Sequence, residues 1–344
     1  MPSDGEIPEP RPANEMLGNG VLIGVYYVEE IRFRHFGNTG NGIHKILSRC
    51  DLGRPREQGI AEKEGNPILN RRGKTFSAWT GAILAALLSF APRNALADTL
   101  RISGTGGAIA TIRLLGEAFR KVHPDIQIDI VPGMGSSGAI KAVLAGRLDI
   151  GLCARPATDE ERAQGSVVTR YARTPFVFGV HRTVYRTGMT MASVVEIYTG
   201  KRNRWEVGSR IRLILRPLAS SDTPVLKKMS PEMNEALEIA LRREGMIVAQ
   251  TDQEAADIIE NTPGAFGSTT LAQVLSEKRA ISVLELNGVT PSVRAIVDGS
   301  YPYTKTFCMV TRNNPSAAVR RFVDFVRSPA AAAILAKNGQ AAVR

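Results

Sequence analysis

The chain has 344 residues, enough for about two domains of ordinary size. With 43% apolar and 22% charged residues it has the make-up of a soluble globular protein with sizeable cores, not of a disordered or fibrous one. The formal net charge of +11 suits an anionic ligand or a negative membrane surface, although charge alone decides neither.

Residues 1–69 are rich in Gly, Pro and charge and carry no sustained helical or strand period. They read as an extension that is either disordered or the product of a start placed too far upstream. The next stretch, "NRRGKTFSAWTGAILAALLSFAPRNALADTL", reads as an export signal over 70–97. Arg71, Arg72 and Lys74 form its basic part, Phe76 to Phe90 its apolar part, and Ala95-Leu96-Ala97 an A-x-A cleavage site, with Asp98 as first mature residue. The apolar run is shorter than the roughly 18 residues a membrane span needs. The expected destination is the periplasm, by either the general or the twin-arginine route. No cysteine follows the cleavage site to take a lipid. Cys50 lies upstream of that site, which leaves Cys153 and Cys308, whose pairing the sequence leaves open. From Asp98 onward Lys and Arg number 32 against 23 Asp and Glu, a net of +9.

From Asp98 strand-like and helix-like segments alternate, which predicts an α/β fold. Leu100 to Ser103 is a strand, and Ile109, Ile112, Leu115, Phe119 and Val122 mark a helix face that His123-Pro124 ends. Ile126 to Val131 alternates as a strand, a helix runs to Ala145, and Leu148 to Leu152 is the next strand. Phe176 to Val180 opens a second unit, which continues through a helix near Ser193 to Tyr198, a strand over Ile211 to Leu215, and helices over Thr223 to Met229 and Pro231 to Arg243. Ile281 to Leu286 is a strand of that unit, and Phe307 to Thr311 returns to the first. Helices over Pro315 to Arg327 and Pro329 to Lys337 close the chain.

His123 and His181 are isolated, with no metal-ligand spacing around them, and no nucleophile motif of the G-x-S-x-G type occurs. Gly104 to Gly107 lacks the spacing of a dinucleotide fingerprint. The basic run from Lys201 to Trp205 reads as a solvated helix end, not a nucleic-acid contact. Three loops share one grammar, an apolar strand, then small hydroxyl or glycine residues, then a helix: Gly104 to Ala108, Gly133 to Gly138, and Ala219 to Thr223. Each would present N–H groups and hydroxyls at the carboxyl end of a strand, where open α/β sheets bind ligands. Together they describe a cage of donors suited to a tetrahedral oxyanion.

On these residues the chain resembles the phosphate-binding component of bacterial phosphate ABC importers, a type II periplasmic solute-binding protein. "ISGTGGAIA" is similar to the first loop of that family, and "GMGSSGAIKAVLAGRLDIGL" to its G-x-G-S-S-G loop and D-x-G strand. "EIYTGKRNRW" resembles its D-I-Y-x-G-K-x-x-x-W signature, "TPGAFGSTT" its P-G-A-I-G-Y, and "SYPYTKTFCMVT" its late return strand. The resemblance implies two lobes, each a sheet flanked by helices, joined by two hinge crossings: 98–174 with 306–344, and 175–305. It implies a protein that closes around phosphate or another oxyanion and delivers it as a monomer to an ABC permease, with no catalysis, cofactor or metal. A sensor or scaffold that keeps the fold, a binder of sulfate or molybdate, and a phosphatase are the alternatives. No activated nucleophile or metal cluster supports the last.

Carried over position by position, ligand contacts fall on Ala108 and Ile109 through their backbone, beside Gly107, and on Ser136, Ser221 and Thr223. Ser137 and Gly138 adjoin them. Two positions depart from the family's pattern. Its aspartate after the D-x-G strand, which accepts the proton that tells phosphate from sulfate, is Ala154 here, followed by Arg155. Its arginine before a Ser-Gly-Thr turn is displaced, as Arg216, and the glycine is Asp222. Either Asp222 takes over as acceptor or the ligand is not phosphate, and Arg155 is expected to reach the anion or to pair with the Asp159-Glu160-Glu161 run.

Overall fold

A computed structural model describes residues 98–343. The extension over 1–69 and the export signal over 70–97 lie outside the described residues. In chain order the elements are β1 (Asp98–Gly104), α1 (Gly106–Val122), β2 (Ile126–Ile130), α2 (Gly135–Leu144), β3 (Ile150–Cys153), α3 (Asp159–Ala163), β4 (Ser166–His181), β5 (Gly188–Met189) and α4 (Met191–Thr199). There follow β6 (Arg212–Leu215), α5 (Thr223–Met229), α6 (Pro231–Arg242), β7 (Ile247–Val248), α7 (Asp252–Asn261), β8 (Ala265–Thr270), α8 (Leu271–Ser276), β9 (Ile281–Val283) and β10 (Glu285–Leu286). The chain ends with α9 (Val293–Val297), β11 (Thr304–Arg312), α10 (Ala317–Val326), α11 (Pro329–Lys337) and β12 (Ala341–Ala342).

Local chemistry accounts for many of these boundaries. Ser230 and Ser328 each accept a bond from the backbone N–H three residues on, with proline at the first helical position, so α6 and α11 start where the sequence places them. In α1 the residues Ile109, Ile112, Leu115 and Phe119 form one buried stripe. Phe119 at the end of that stripe meets Phe322 of α10 edge-on, with ring centroids 5.2 Å apart.

The strands run in the order β2-β1-β3-β11-β4-β8-β6-β7, with β9 and β12 also on β4. β1, β2 and β3 are mutually parallel, as are β6, β7 and β8. β4 is the spine: up to Pro175 it pairs antiparallel with β11, and from Phe176 with β8. Separate cores flank that change of partner. One gathers Ile102, Phe119, Met309 and Phe322, and the other Phe178, Tyr198, Trp205 and Phe266. Trp205, at the end of the basic run, is buried, and its indole N–H donates to the Gly264 carbonyl at 3.0 Å.

Two segments differ from the expected elements. β4 begins already at Ser166, because its polar residues pair with β11 and hide any apolar period. The apolar run Ile281 to Leu286 is divided: β9 pairs with β4, whereas β10 pairs with β5 in a separate two-stranded sheet. Cys153 and Cys308 face each other on β3 and β11, with Cα atoms 5.1 Å apart, and form a disulfide.

Candidate binding site

The carboxyl ends of the parallel strands converge. Thr105 follows β1, Met134 to Gly138 follow β2, Arg155 follows β3, Arg216 to Ser221 follow β6, and Gln250 and Asp252 follow β7. These segments line a cleft of about 230 Å³, the size of a small anion with a few waters. Backbone geometry brings them close. Gly104 lies at φ +155°, and a Cβ there would sit 2.0 Å from the Leu152 carbonyl oxygen, so β1 and β3 approach at a distance only glycine allows. Gly135, at φ +72°, turns the chain directly into α2, whose first turn carries no acidic residue. The amide dipoles of that turn therefore face the cleft without a competing charge.

Beneath the cleft lies a buried cluster of four charges, Arg216, Asp222, Asp252 and Lys305. Lys305 donates to the Asp222 carboxylate, and Arg216 Nη2 lies 3.2 Å from Asp252 Oδ1. Asp252 Oδ2 accepts from the Thr105 hydroxyl and from the Gly107 N–H, both at 3.1 Å. Burial pushes the Asp252 carboxyl up, but Lys305, Arg216, the Gly107 N–H and the Thr105 hydroxyl outweigh it and hold the carboxyl below its ordinary value. Burial likewise pulls the Lys305 ammonium down, and the charges of Asp222 and Asp252 more than restore it. Arg216 is 9% exposed. Its Nε lies 3.8 Å from Asp222 Oδ2 and has no hydrogen-bond partner. Its charge is met within the cluster by the Asp222 and Asp252 carboxylates.

The structure gathers half of the ten sequence-derived positions. Ser136, Ser137, Gly138, Arg155 and Ser221 all line the cleft. The Ser136 oxygen accepts from the Ala154 N–H at 3.0 Å, which leaves its own hydrogen free to donate. Arg155 pairs with the acidic run and also lines the cleft. It holds Glu161 through a two-pronged pair at 2.7 and 2.8 Å and donates to the Ser137 oxygen while standing at the cleft. The hydrogen bond from Arg155 also keeps the Glu161 carboxyl below its usual range.

Other positions are turned away. Ala108 and Ile109 are buried in α1, and the Ala108 N–H is engaged by the Thr105 carbonyl at 3.2 Å. Gly107 faces the charge cluster, not the cleft, and its N–H serves Asp252. Thr223 donates to the Pro217 carbonyl at 3.3 Å. Asp222 is buried against Lys305 and does not line the cleft, so the carboxylate at the cleft wall is Asp252. Sequence reasoning missed Asp252 because Thr251-Asp252-Gln253-Glu254 reads as a helix cap. It is one: the Thr251 hydroxyl accepts from the Glu254 N–H. Lys305 was hidden inside a strand pattern, with nothing local to mark it as buried.

A profile described as "PBP superfamily domain" matches residues 91–330, more than half of the chain. The chain belongs to the PBP superfamily. Among curated relatives of this PBP-superfamily chain, the phosphate-binding protein PstS of Bacillus subtilis is 25% identical over 236 residues, 67% of this chain and 75% of that protein. Phosphate-binding protein PstS 2 of Streptococcus pneumoniae is 29% identical over 113 residues, 32% of this chain and 38% of that protein. Among solved structures, one from Clostridium perfringens, described as a phosphate ABC transporter substrate-binding protein with bound phosphate, superposes with a TM-score of 0.63. It is 22% identical, and the match covers 72% of this chain and all of that one. An ABC-type phosphate transport receptor from Vibrio cholerae follows at a TM-score of 0.51 and 16% identity, over 70% of this chain and 99% of the other. At such identities these two structures speak for the fold, and they agree with the α/β architecture described above. Among the described residues no helix is long and apolar enough to cross a membrane, and no group of His, Cys, Asp and Glu is placed to hold a metal ion.

Proposed function

We propose that this protein is an exported binding protein that captures phosphate in the cleft between α2, Arg155 and Arg216 and hands it to an ABC permease. The observation that carries this reading is the convergence of donors from several strand ends on one cleft. The first turn of α2, the Arg155 and Arg216 guanidinium groups and the Ser137, Ser220 and Ser221 hydroxyls all line it, a cage of donors suited to an oxyanion. The net charge of +9 from Asp98 onward favours the approach of an anion. The names of the curated relatives support phosphate among the oxyanions and a binding role without chemistry.

Two lobes, 98–174 with 306–344 and 175–305, follow from the same reading. The change of partner along β4 between Pro175 and Phe176, with a separate core on each side, supports that division and makes β4 and β11 the crossings about which the lobes would close. The protein then acts as a monomer, with the permease as its macromolecular partner and the export signal over 70–97 placing it in the periplasm.

A thermal-shift screen of the purified protein with phosphate, sulfate, molybdate and small carboxylates tests the assignment. Phosphate at about a hundred times its Kd should stabilise the fold by roughly 2.7 kcal/mol, seen as a clear rise in Tm. A Tm unmoved by millimolar phosphate would refute it.

A further inference from the structure

A second cavity lies on the flank of the sheet, away from the strand ends that form the cleft. Its volume is about 870 Å³, against about 230 Å³ for the cleft. It is walled by the loop after β3, by α3, β4 and β11, and by the residue that follows α10. We propose that this cavity is a second binding site, which takes an organic anion bearing two or more phosphate or carboxylate groups.

The charge around the cavity is one-sided. Arg155, Arg162, Arg170 and Arg327 line it, and no Asp or Glu does. Arg155 holds Glu161, and Arg162 donates to Asp159 and to the Ala157 carbonyl. Among the described residues the ion pairs at the cavity involve only these two, so the exposed Arg170 and Arg327 keep their guanidinium groups free. Arg327 caps the C-terminus of α10, where a positive charge suits the helix dipole. Arg170, within β4, answers no such need. A guanidinium offers a planar fork that fits phosphate or carboxylate oxygens two at a time, so several forks around one cavity suit several such groups on one molecule.

Exposed arginines by themselves would be no more than a solvated surface. The Ser166 hydroxyl is what a solvated surface does not explain. Ser166 is 7% exposed and lines the cavity, and its buried Oγ has no hydrogen-bond partner among the described residues. Such groups are rare, because burial without a partner forfeits the bonds the hydroxyl makes to water. Ser166, Val168 and Arg170 alternate along β4 and so present one face to the cavity. The pairing with β11 also slips here. Arg170 lies opposite Cys308 and Ala172 opposite Phe307, which leaves Tyr171 as an extra residue on β4. Bulges of this kind re-aim side chains and are over-represented beside functional sites.

Size and lining set the class of ligand. The cavity falls in the range of about 300–1,000 Å³ that encloses organic ligands, well above the needs of a single tetrahedral anion. Pro156, Ala157, Val168 and Val343 supply apolar wall between the charges, so a carbon body would be held along with its anionic groups. Arg155 is the one lining residue shared with the cleft, and Glu161 and Ser137 already hold it. The two sites are therefore separable by substitution at Arg170, Arg327 and Ser166.

Isothermal titration of the purified protein with ADP and with citrate, at physiological salt and with inorganic phosphate in excess to fill the cleft, tests the proposal. At least one probe should bind saturably at one per chain. Preference for ADP assigns phosphate to the arginines, and preference for citrate assigns carboxylate. Arg170→Gln/Arg327→Gln should weaken that binding by about tenfold or more and leave the affinity for inorganic phosphate unchanged. Ser166→Ala should also weaken it, while the melting temperature without ligand stays level or rises, because its Oγ has no bond within the protein to lose. Absence of saturable binding by both probes, or binding that the double arginine variant leaves untouched, would overturn this site without touching the reading of the cleft. Failure of inorganic phosphate to bind would remove that reading and leave saturable binding of ADP or citrate as support for this one.

Discussion

Lys305 and Asp222 form an ion pair whose side chains are 1% and 4% exposed, joining β11 to the residue before α5 across 83 positions of sequence. Removing one partner leaves the other as a buried, uncompensated charge. Lys305→Met should therefore cost about 3–5 kcal/mol of unfolding free energy, and the Lys305→Met/Asp222→Asn double variant should recover a good part of it. Urea denaturation of the two single variants and the double variant measures the coupling. Additive losses would show that the pair does not act as a unit.

The carboxyl of Asp252 is held below its ordinary value of 3.8, and the sign of its pH effect follows. A depressed carboxyl stabilises the fold above the ordinary carboxylate range, and that contribution is lost as pH falls through the folded value. The urea midpoint should be nearly flat from neutrality to about pH 5 and fall below about pH 4. Asp252→Asn should be less stable at neutral pH and should converge on the unaltered protein in acid. Two curves that stay parallel down to the acid limit would contradict this assignment.

Arg155 is shared between Glu161 and Ser137 at the mouth of the cleft. Arg155→Gln should lower phosphate affinity by roughly tenfold, the effect of losing one charge-assisted contact. Glu161→Gln keeps the guanidinium and frees it from its partner, so it should leave affinity equal or higher. Titration calorimetry of both variants separates a ligand contact from a purely structural pair, for which neither substitution would move the Kd.

Ser136 and Ser221 each bring a hydroxyl to the cleft, and neither hydroxyl hydrogen is donated to a group among the described residues. The Ser136→Ala/Ser221→Ala variant should bind phosphate at least about tenfold more weakly, since each bond to a charged acceptor is worth about 1.5–3 kcal/mol. Its melting temperature without ligand should fall only modestly, through the lost bond to the Ala154 N–H. Unaltered phosphate affinity in the double variant would refute the hydroxyls as ligand donors.

The Cys153–Cys308 disulfide closes a loop of 155 residues across β3 and β11. On chain-entropy grounds it contributes up to about 5 kcal/mol by restricting the unfolded chain. Reduction, or Cys153→Ser with Cys308→Ser, should lower the urea midpoint. A midpoint indifferent to reductant would mean that the bond is not formed in the purified protein.

What the sequence determined by itself was local and periodic. The apolar stripe of α1, the serine and proline starts of α6 and α11, and the three loops at strand ends were all readable, because caps, helical spacing and turn glycines act over a few residues. Four of the five strands whose ends form the cleft were likewise visible as short apolar runs. The length of β4 was not, because its pairing with β11 replaces the apolar alternation that would have announced it. Only the tertiary structure decided which carboxylate faces the cleft. Asp222 looked available because it follows Ser221, but Lys305, 83 residues away, turns it inward, while Asp252 arrives from the end of β7 under the guise of a helix cap. Charge pairing in a buried cluster depends on distances that no spacing along the chain encodes, so the partner of each buried charge is known only once the strands have been placed side by side.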